Sequence, residues 1–266
     1  MDDAQQLRYS RHLLLDDWPE AAQERLLAAH AVVIGAGGLG APALLYLAAA
    51  GVGRITVVDP DTVELSNLQR QIAHSTDRIG VAKVASARTA MSALNPEVQV
   101  HAVAQAADEA LLAELLPQAQ VVLDCTDTFA TRQLINRLAW QAGVPLVSAS
   151  ALRWDGQLTV FDPRQPHSPC YACLFPPDAP PEETRCALMG VFAPVVGTLG
   201  VMQAGEALKL LAGLGALDAS ETSGAADTLR GHTSLAGQLL MLDGRDWSWT
   251  RLRVRRHAGC PVCGDR

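Results

Sequence analysis

The chain has 266 residues, 49% of them hydrophobic and 18% charged, with a formal net charge of −7. That length is enough to bury a substantial core, and the acidic balance argues against a nucleic-acid or anionic-membrane partner. The Met-Asp-Asp start lacks the basic and apolar regions of a signal peptide. The most apolar stretch, residues 187–202, falls short of the roughly 20 residues of a membrane span, so a buried helix in a cytoplasmic protein is expected.

Hydrophobic spacing predicts a helix over 19–29, a buried strand over 31–34, a helix over 40–50 and a second strand over 54–59. A helix over 81–94 is ended by Asn95-Pro96. Strands follow over 98–103 and 121–124, then a helix over 131–142 and a strand over 145–151. Strands alternating with helices imply right-handed crossovers and a mainly parallel sheet. After about residue 155 the pattern changes. Strands are expected over 157–161, 239–242 and 247–254, and a buried helix over 197–211. The proline-rich, acidic 175–184 and the Ser/Thr/Gly-rich 218–231 read as loops. The expected fold is α/β, a Rossmann-like doubly wound sheet continued by antiparallel strands. It forms one domain over 1–266, with a nucleotide-binding part at 1–155 and an irregular part at 156–266.

The first strand runs into Gly35, Gly37, Gly38 and Gly40, a G-x-G-x-x-G pattern. Glycines there allow a tight strand-to-helix turn and close approach of backbone to phosphate, with the helix N-terminus facing the anion. Asp59, at the end of the second strand, is placed to accept hydrogen bonds from ribose hydroxyls. This combination predicts nucleotide binding but does not choose among NAD, FAD and ATP.

Asn67, Arg70 and Lys83 follow the second strand. Cations there suit an enzyme that cleaves a triphosphate, where charge builds on the departing pyrophosphate. Singly, Arg70 and Lys83 read better as solvated surface charge; it is the pair, a polar loop around Arg70 and an apolar helix around Lys83, that points to a triphosphate. VVLDCTDTFATR places Asp124, Asp127 and Arg132 at the carboxyl end of a central strand, where open α/β sheets bind ligands. A carboxylate there can hold Mg2+. The alternative for Asp127 is an N-cap of the next helix.

Six cysteines occur, at 125, 170, 173, 186, 260 and 263. Cys170/Cys173 and Cys260/Cys263 form two C-x-x-C knuckles, which together make a tetrahedral four-cysteine zinc site. Four thiolates leave no open position for water, so the zinc is expected to be structural, stapling distant segments. Cys125, in an apolar strand, reads as core packing. The histidines form no metal-binding cluster. Cys186 follows the proline-rich loop and is either a nucleophile toward an activated acyl group or an anchor of the loop's end.

The run VDPDTVELSNLQRQ with GVAKV downstream, the opening LRYSRH and the two knuckles resemble the MoeB/ThiF adenylyltransferases, relatives of the ubiquitin-activating enzymes. The resemblance covers nearly the whole chain. It implies ATP-dependent adenylylation of the Gly-Gly carboxylate of a ubiquitin-like sulfur carrier, ahead of thiocarboxylate formation for molybdopterin or thiamine. It further implies that Asp127 is the acid needed for adenylylation and that Arg11 reaches the triphosphate in the partner subunit of a homodimer. The carrier tail would pass under the loop around 175–190, within a carrier-binding and zinc part at 156–266. Thr128 departs from the Asn that family members often carry after the acid, which leaves its hydrogen bond open. No rhodanese-like segment follows Cys263, so a separate sulfur donor protein is expected. The rivals are an NAD-dependent oxidoreductase, a silent nucleotide-binding scaffold, and an adenylylating enzyme of the tRNA threonylcarbamoyladenosine dehydratase type. The last is disfavoured by the paired knuckles.

Overall fold

A computed structural model describes residues 1–179, 189–214 and 234–264. The predicted loop at 218–231, residues 180–184 of the proline-rich loop and Cys186 lie outside them. Among the described residues, eight strands form one sheet in the order β3-β2-β1-β4-β5-β6-β7-β8. The first five, β1 (His30–Ile34), β2 (Arg54–Val58), β3 (Gln99–Val103), β4 (Val121–Asp124) and β5 (Leu146–Leu152), pair in parallel. β6 (Asp155–Phe161), β7 (Gln238–Asp243) and β8 (Ser248–Arg253) add on antiparallel.

The central strands β1 and β4 are buried throughout because both faces of the sheet are covered, whereas the edge strand β3 alternates, with Gln99 and His101 exposed. In β1, Ala31 and Val33 enter the core shared with α3 (Gly40–Ala49), α2 (Glu20–Ala28) and α8 (Ala193–Ala212). Val32 and Ile34 enter the opposite core, under α5 (Glu109–Leu115) and α6 (Phe129–Ala142). α5 is absent from the expected elements. It is seven residues long and capped by Asp108, whose side chain accepts from the Leu111 N–H.

Most predicted boundaries hold to within one or two residues. The buried helix is the exception. α8 is 20 residues long because it starts at Ala193, with Pro194 in the first turn, where a missing N–H costs nothing. By length and composition α8 could cross a membrane, but 67% of its apolar stretch is buried inside the protein. It carries buried Gln203 and Glu206, and Gln203 Nε2 donates to the carbonyls of Asp124 and Val147 at 2.8 and 3.2 Å. A polar side chain thus ties the core helix to two central strands.

α1 (Asp3–Leu13) rests against the far ends of α3 and α4 (Lys83–Leu94). Tyr9 Oη accepts from Asn95 Nδ2 at 2.9 Å and packs on Gly51, while Arg8 donates to the Leu94 carbonyl at 3.0 Å. Gly51, Leu94 and Asn95 all lie at the C-terminal ends of those helices.

Candidate active site

The order β3-β2-β1-β4-β5 reverses direction between β1 and β4, the switch point at whose carboxyl ends open α/β sheets form their ligand crevice. β1 ends at Ile34, which pairs with Val58 on one side and Asp124 on the other. The glycine loop, Asp59 and the segment after Asp124 therefore leave the sheet side by side. Gly35 has φ +100°, and a Cβ there would stand 2.6 Å from the Cys125 carbonyl oxygen, so only glycine fits. Among the described residues, the N–H groups of Gly37 and Gly38 donate to no group of the chain, and they precede the N-terminus of α3. Free donors at a helix N-terminus make an anion site.

Asp59 is buried, and its carboxylate accepts from the N–H groups of Ala36 at 2.7 Å and Asp61 at 2.9 Å. The residue expected to face ribose thus also braces the glycine loop. Asn67 is buried in a short 3-10 turn over Leu65–Asn67, where its Oδ1 accepts from the Glu64 N–H at 3.2 Å. The Arg70 stem passes over Gly38, and its Nη1 donates to the Ser66 carbonyl at 3.1 Å. Lys83 is buried and opens α4 rather than lying within it, and its Nζ sits 2.7 Å from Asp61 Oδ2. A cation at a helix N-terminus opposes the helix dipole. Asp61 offsets that cost, and a bound anion would add to the offset.

The two aspartates after β4 have different surroundings. Asp124 is fully buried; Oδ1 accepts from Thr126 N and Oγ1 at 3.0 and 2.7 Å, and Oδ2 from Ser148 Oγ at 3.1 Å. It also faces Arg132 at 4.0 Å. Burial opposes the charge on Arg132, but the Asp124 carboxylate and then Tyr171 hold its pKa above the usual value. Arg132 Nη2 in turn donates to the Thr126 carbonyl. Asp127 is exposed, and its carboxylate accepts no hydrogen bond among the described residues. The alternative of a helix cap goes to its neighbour, since Thr128 Oγ1 accepts from the Thr131 N–H at 3.4 Å and bonds Thr131 Oγ1 at 2.6 Å. Thr128 thereby does what an Asn does at a cap. Cys125 is buried with its thiol pKa pushed up by burial, as core packing requires.

Arg11 lies on the exposed face of α1 and makes no hydrogen bond or ion pair among the described residues. Its helix sits at the end of α3 and α4 opposite to the glycine loop.

The four knuckle cysteines meet as expected. Their sulfurs all lie within 4.8 Å of one another, with Cys170 to Cys260 at 3.5 Å and Cys173 to Cys263 at 3.3 Å. Tetrahedral zinc with Zn–S near 2.3 Å needs sulfurs about 3.8 Å apart, so the donor set fits. Cys173 is pulled down to about 4 by the hydrogen bond from Cys170 and, against burial, by the N–H of His257. Burial pushes Cys263 up to about 12. Four crowded thiols of this kind ionise together only around a cation. Such a metal would tie the chain beyond β8 to α7 (Tyr171–Leu174) and, through Trp140 and the bond from Tyr171 N–H to Asn136 Oδ1 at 2.8 Å, to α6.

The ThiF family model matches residues 9–262. This chain belongs to the ThiF family. It is 43% identical to the sulfur carrier protein ThiS adenylyltransferase of Escherichia coli, covering 99% of this chain and 97% of that protein. It is 40% identical to the molybdopterin-synthase adenylyltransferase of Escherichia coli, covering 99% and 98%. A crystal structure of E. coli MccB with ATP shares the fold, with a TM-score of 0.77 at 22% identity over 97% of this chain and 74% of that one.

Three residues of this ThiF-family crevice carry no signal in the sequence. Asp61, the partner of Lys83, reads as one more acid in an acidic run. Gln71 is 3% exposed and lies against Gly37, with its Oε1 buried and unpartnered. His74 is buried behind the loop. Each acts through a contact across the fold, which no spacing rule reveals. A cavity of about 420 Å3, lined by Arg153, Trp154, Met189, Gly190, Val191 and Phe192, opens beside the β5–β6 turn, away from the glycine loop.

Proposed function

We propose that this chain is an ATP-dependent adenylyltransferase acting on the C-terminal Gly-Gly carboxylate of a ubiquitin-like sulfur carrier. A carboxylate oxygen of the carrier attacks the α-phosphorus of ATP. The bond to the β,γ-diphosphate breaks, and acyl-AMP and pyrophosphate form. The nucleophile is already ionised, so no side chain need take its proton, and catalysis is positioning and charge stabilisation. The glycine loop and Asp59 hold the nucleotide, Asn67, Arg70 and Lys83 take the triphosphate charge, and Asp127 holds Mg2+. A separate sulfur donor then displaces AMP. Residues 1–155 serve the nucleotide and 156–266 the carrier and the structural zinc, in one domain of a cytoplasmic protein.

What supports this reading most is that Asp127, exposed and accepting no hydrogen bond among the described residues, follows β4 beside the glycine loop, whose Gly37 and Gly38 N–H groups have no partner among those residues. Hydride transfer has no use for that set. Kinship over nearly the full length to two proteins named for adenylyl transfer supports it further. The remoteness of Arg11 from its own glycine loop supports the expectation that it serves a partner's site. Leu65, Ile72, Ile79 and Val81 on the β2–α4 connection are large hydrophobic side chains left exposed in the single chain, surface that a second copy would cover.

ATP–pyrophosphate exchange, with small Gly-Gly-terminated proteins added one at a time, tests the proposal. One carrier should stimulate exchange, and Asp127→Ala should cut it by roughly a hundredfold or more. Tight NAD binding without ATP binding, or ATP binding without exchange with any carrier, would overturn it.

A further inference from the structure

His74 has no part in the chemistry above, yet it is 7% exposed and both ring nitrogens are engaged. Nε2 lies 2.9 Å from the Ala36 carbonyl oxygen and Nδ1 2.9 Å from Ser86 Oγ. A carbonyl has no proton to give, so Nε2 carries one. Arg78 Nη1 donates to Ser86 Oγ at 3.3 Å and to the Ser86 carbonyl at 2.6 Å. The Ser86 hydroxyl proton is thereby left for Nδ1. The two contacts select one neutral tautomer, with Nε2 as donor. Lys83, Asp59 and Arg78 are the charged groups facing the ring, and burial holds it neutral.

What His74 holds matters. The Ala36 carbonyl and the Gly37 N–H belong to one planar trans peptide and point in opposite directions. A donor on the carbonyl therefore sets the direction of the Gly37 N–H, which has no partner among the described residues. The preceding Ala36 N–H is held by Asp59 Oδ2 at 2.7 Å. Between Gly35 and Gly37 a peptide is otherwise free to rotate, because glycine accepts either sign of φ. We propose that His74 is a positioning residue that aims the Gly37 N–H at the bound phosphate by holding the Ala36 carbonyl from behind. Ser86 links the same ring to α4, whose first residue is Lys83, so the loop and the lysine are set against each other through one side chain.

The inference rests on the nucleotide reading, and two variants separate the two. His74→Phe keeps bulk but cannot donate; His74→Gln puts an amide donor near the Nε2 position. ATP affinity is measured by equilibrium binding, KM for ATP and for the carrier by pyrophosphate exchange, and folding by thermal melts. His74→Phe should weaken ATP binding about tenfold with the carrier KM unchanged, and His74→Gln should stay within about threefold of the parent. Parent-like ATP affinity in His74→Phe would overturn the inference, as would a folded His74→Gln that binds ATP poorly. If His74→Phe fails to fold, His74→Gln alone decides. A parent protein that binds no ATP would sink the nucleotide reading itself.

Discussion

Asp124 accepts hydrogen bonds on both carboxylate oxygens and faces a buried guanidinium, so its charge is already used by the fold. Asp127, three positions on, accepts no hydrogen bond among the described residues, which leaves both of its carboxylate oxygens open to a ligand. Two buried imidazoles show the same logic for protons. His30, with Nε2 2.8 Å from Thr56 Oγ1 and Nδ1 3.0 Å from the Gln118 carbonyl, and His74 both have pKa values lowered from 6.5, first of all by burial. The unfolded chain binds these protons first as pH falls. The stability they contribute is therefore whole above pH 6.5 and lost as pH falls toward the depressed folded values. Thermal melts should give a lower Tm at about pH 5.5 than at about pH 7.5, and His30→Gln should narrow that gap. An equal gap in the variant would place the acid sensitivity elsewhere.

α8 works as a spine under the site. Gly200 lets it approach the start of α3 so closely that a Cβ would stand 2.2 Å from the Leu39 carbonyl oxygen and 2.6 Å from Pro42 Cγ. Leu39 is the N-cap of α3, within the glycine loop. Gly200→Ala should therefore cost about 1–3 kcal/mol in thermal or denaturant unfolding and weaken ATP binding with it. A stable variant with normal ATP affinity would show that α8 can slide without cost. The long elements were legible because burial on both faces leaves uninterrupted apolar runs, as in β1 and β4. α5 was not, because seven residues before Pro117 give too short a period to stand out, although Asp108 followed by Glu109 is a start signal. The crevice was legible as far as it depends on local chemistry, in the glycines and the acids. Gln71 and His74 were hidden because each is defined by a neighbour far along the chain.

If Arg11 of one copy completes the site of another, two defects on different chains should repair each other. Arg11→Ala and Asp127→Ala should each be nearly inactive alone. After subunit exchange of an equal mixture, half the dimers pair one of each, and one of the two sites in such a dimer is intact. Pyrophosphate exchange should then recover to about a quarter of the parent rate. No recovery after proven exchange would mean that Arg11 acts within its own chain or not at all.

The two cysteine knuckles are also ordered in time. Cys170 and Cys173 are translated between β6 and β7, whereas Cys260 and Cys263 follow β8, so every strand has been made before the second pair of thiols exists. During synthesis the first pair waits with half a coordination shell, open to oxidation or to a wrong metal. Over that interval the far edge of the sheet rests on its strand pairing and on β7 leucines such as Leu240 and Leu242 packed in the core, and a metal on the four thiols would be the last fastening of a fold already laid out.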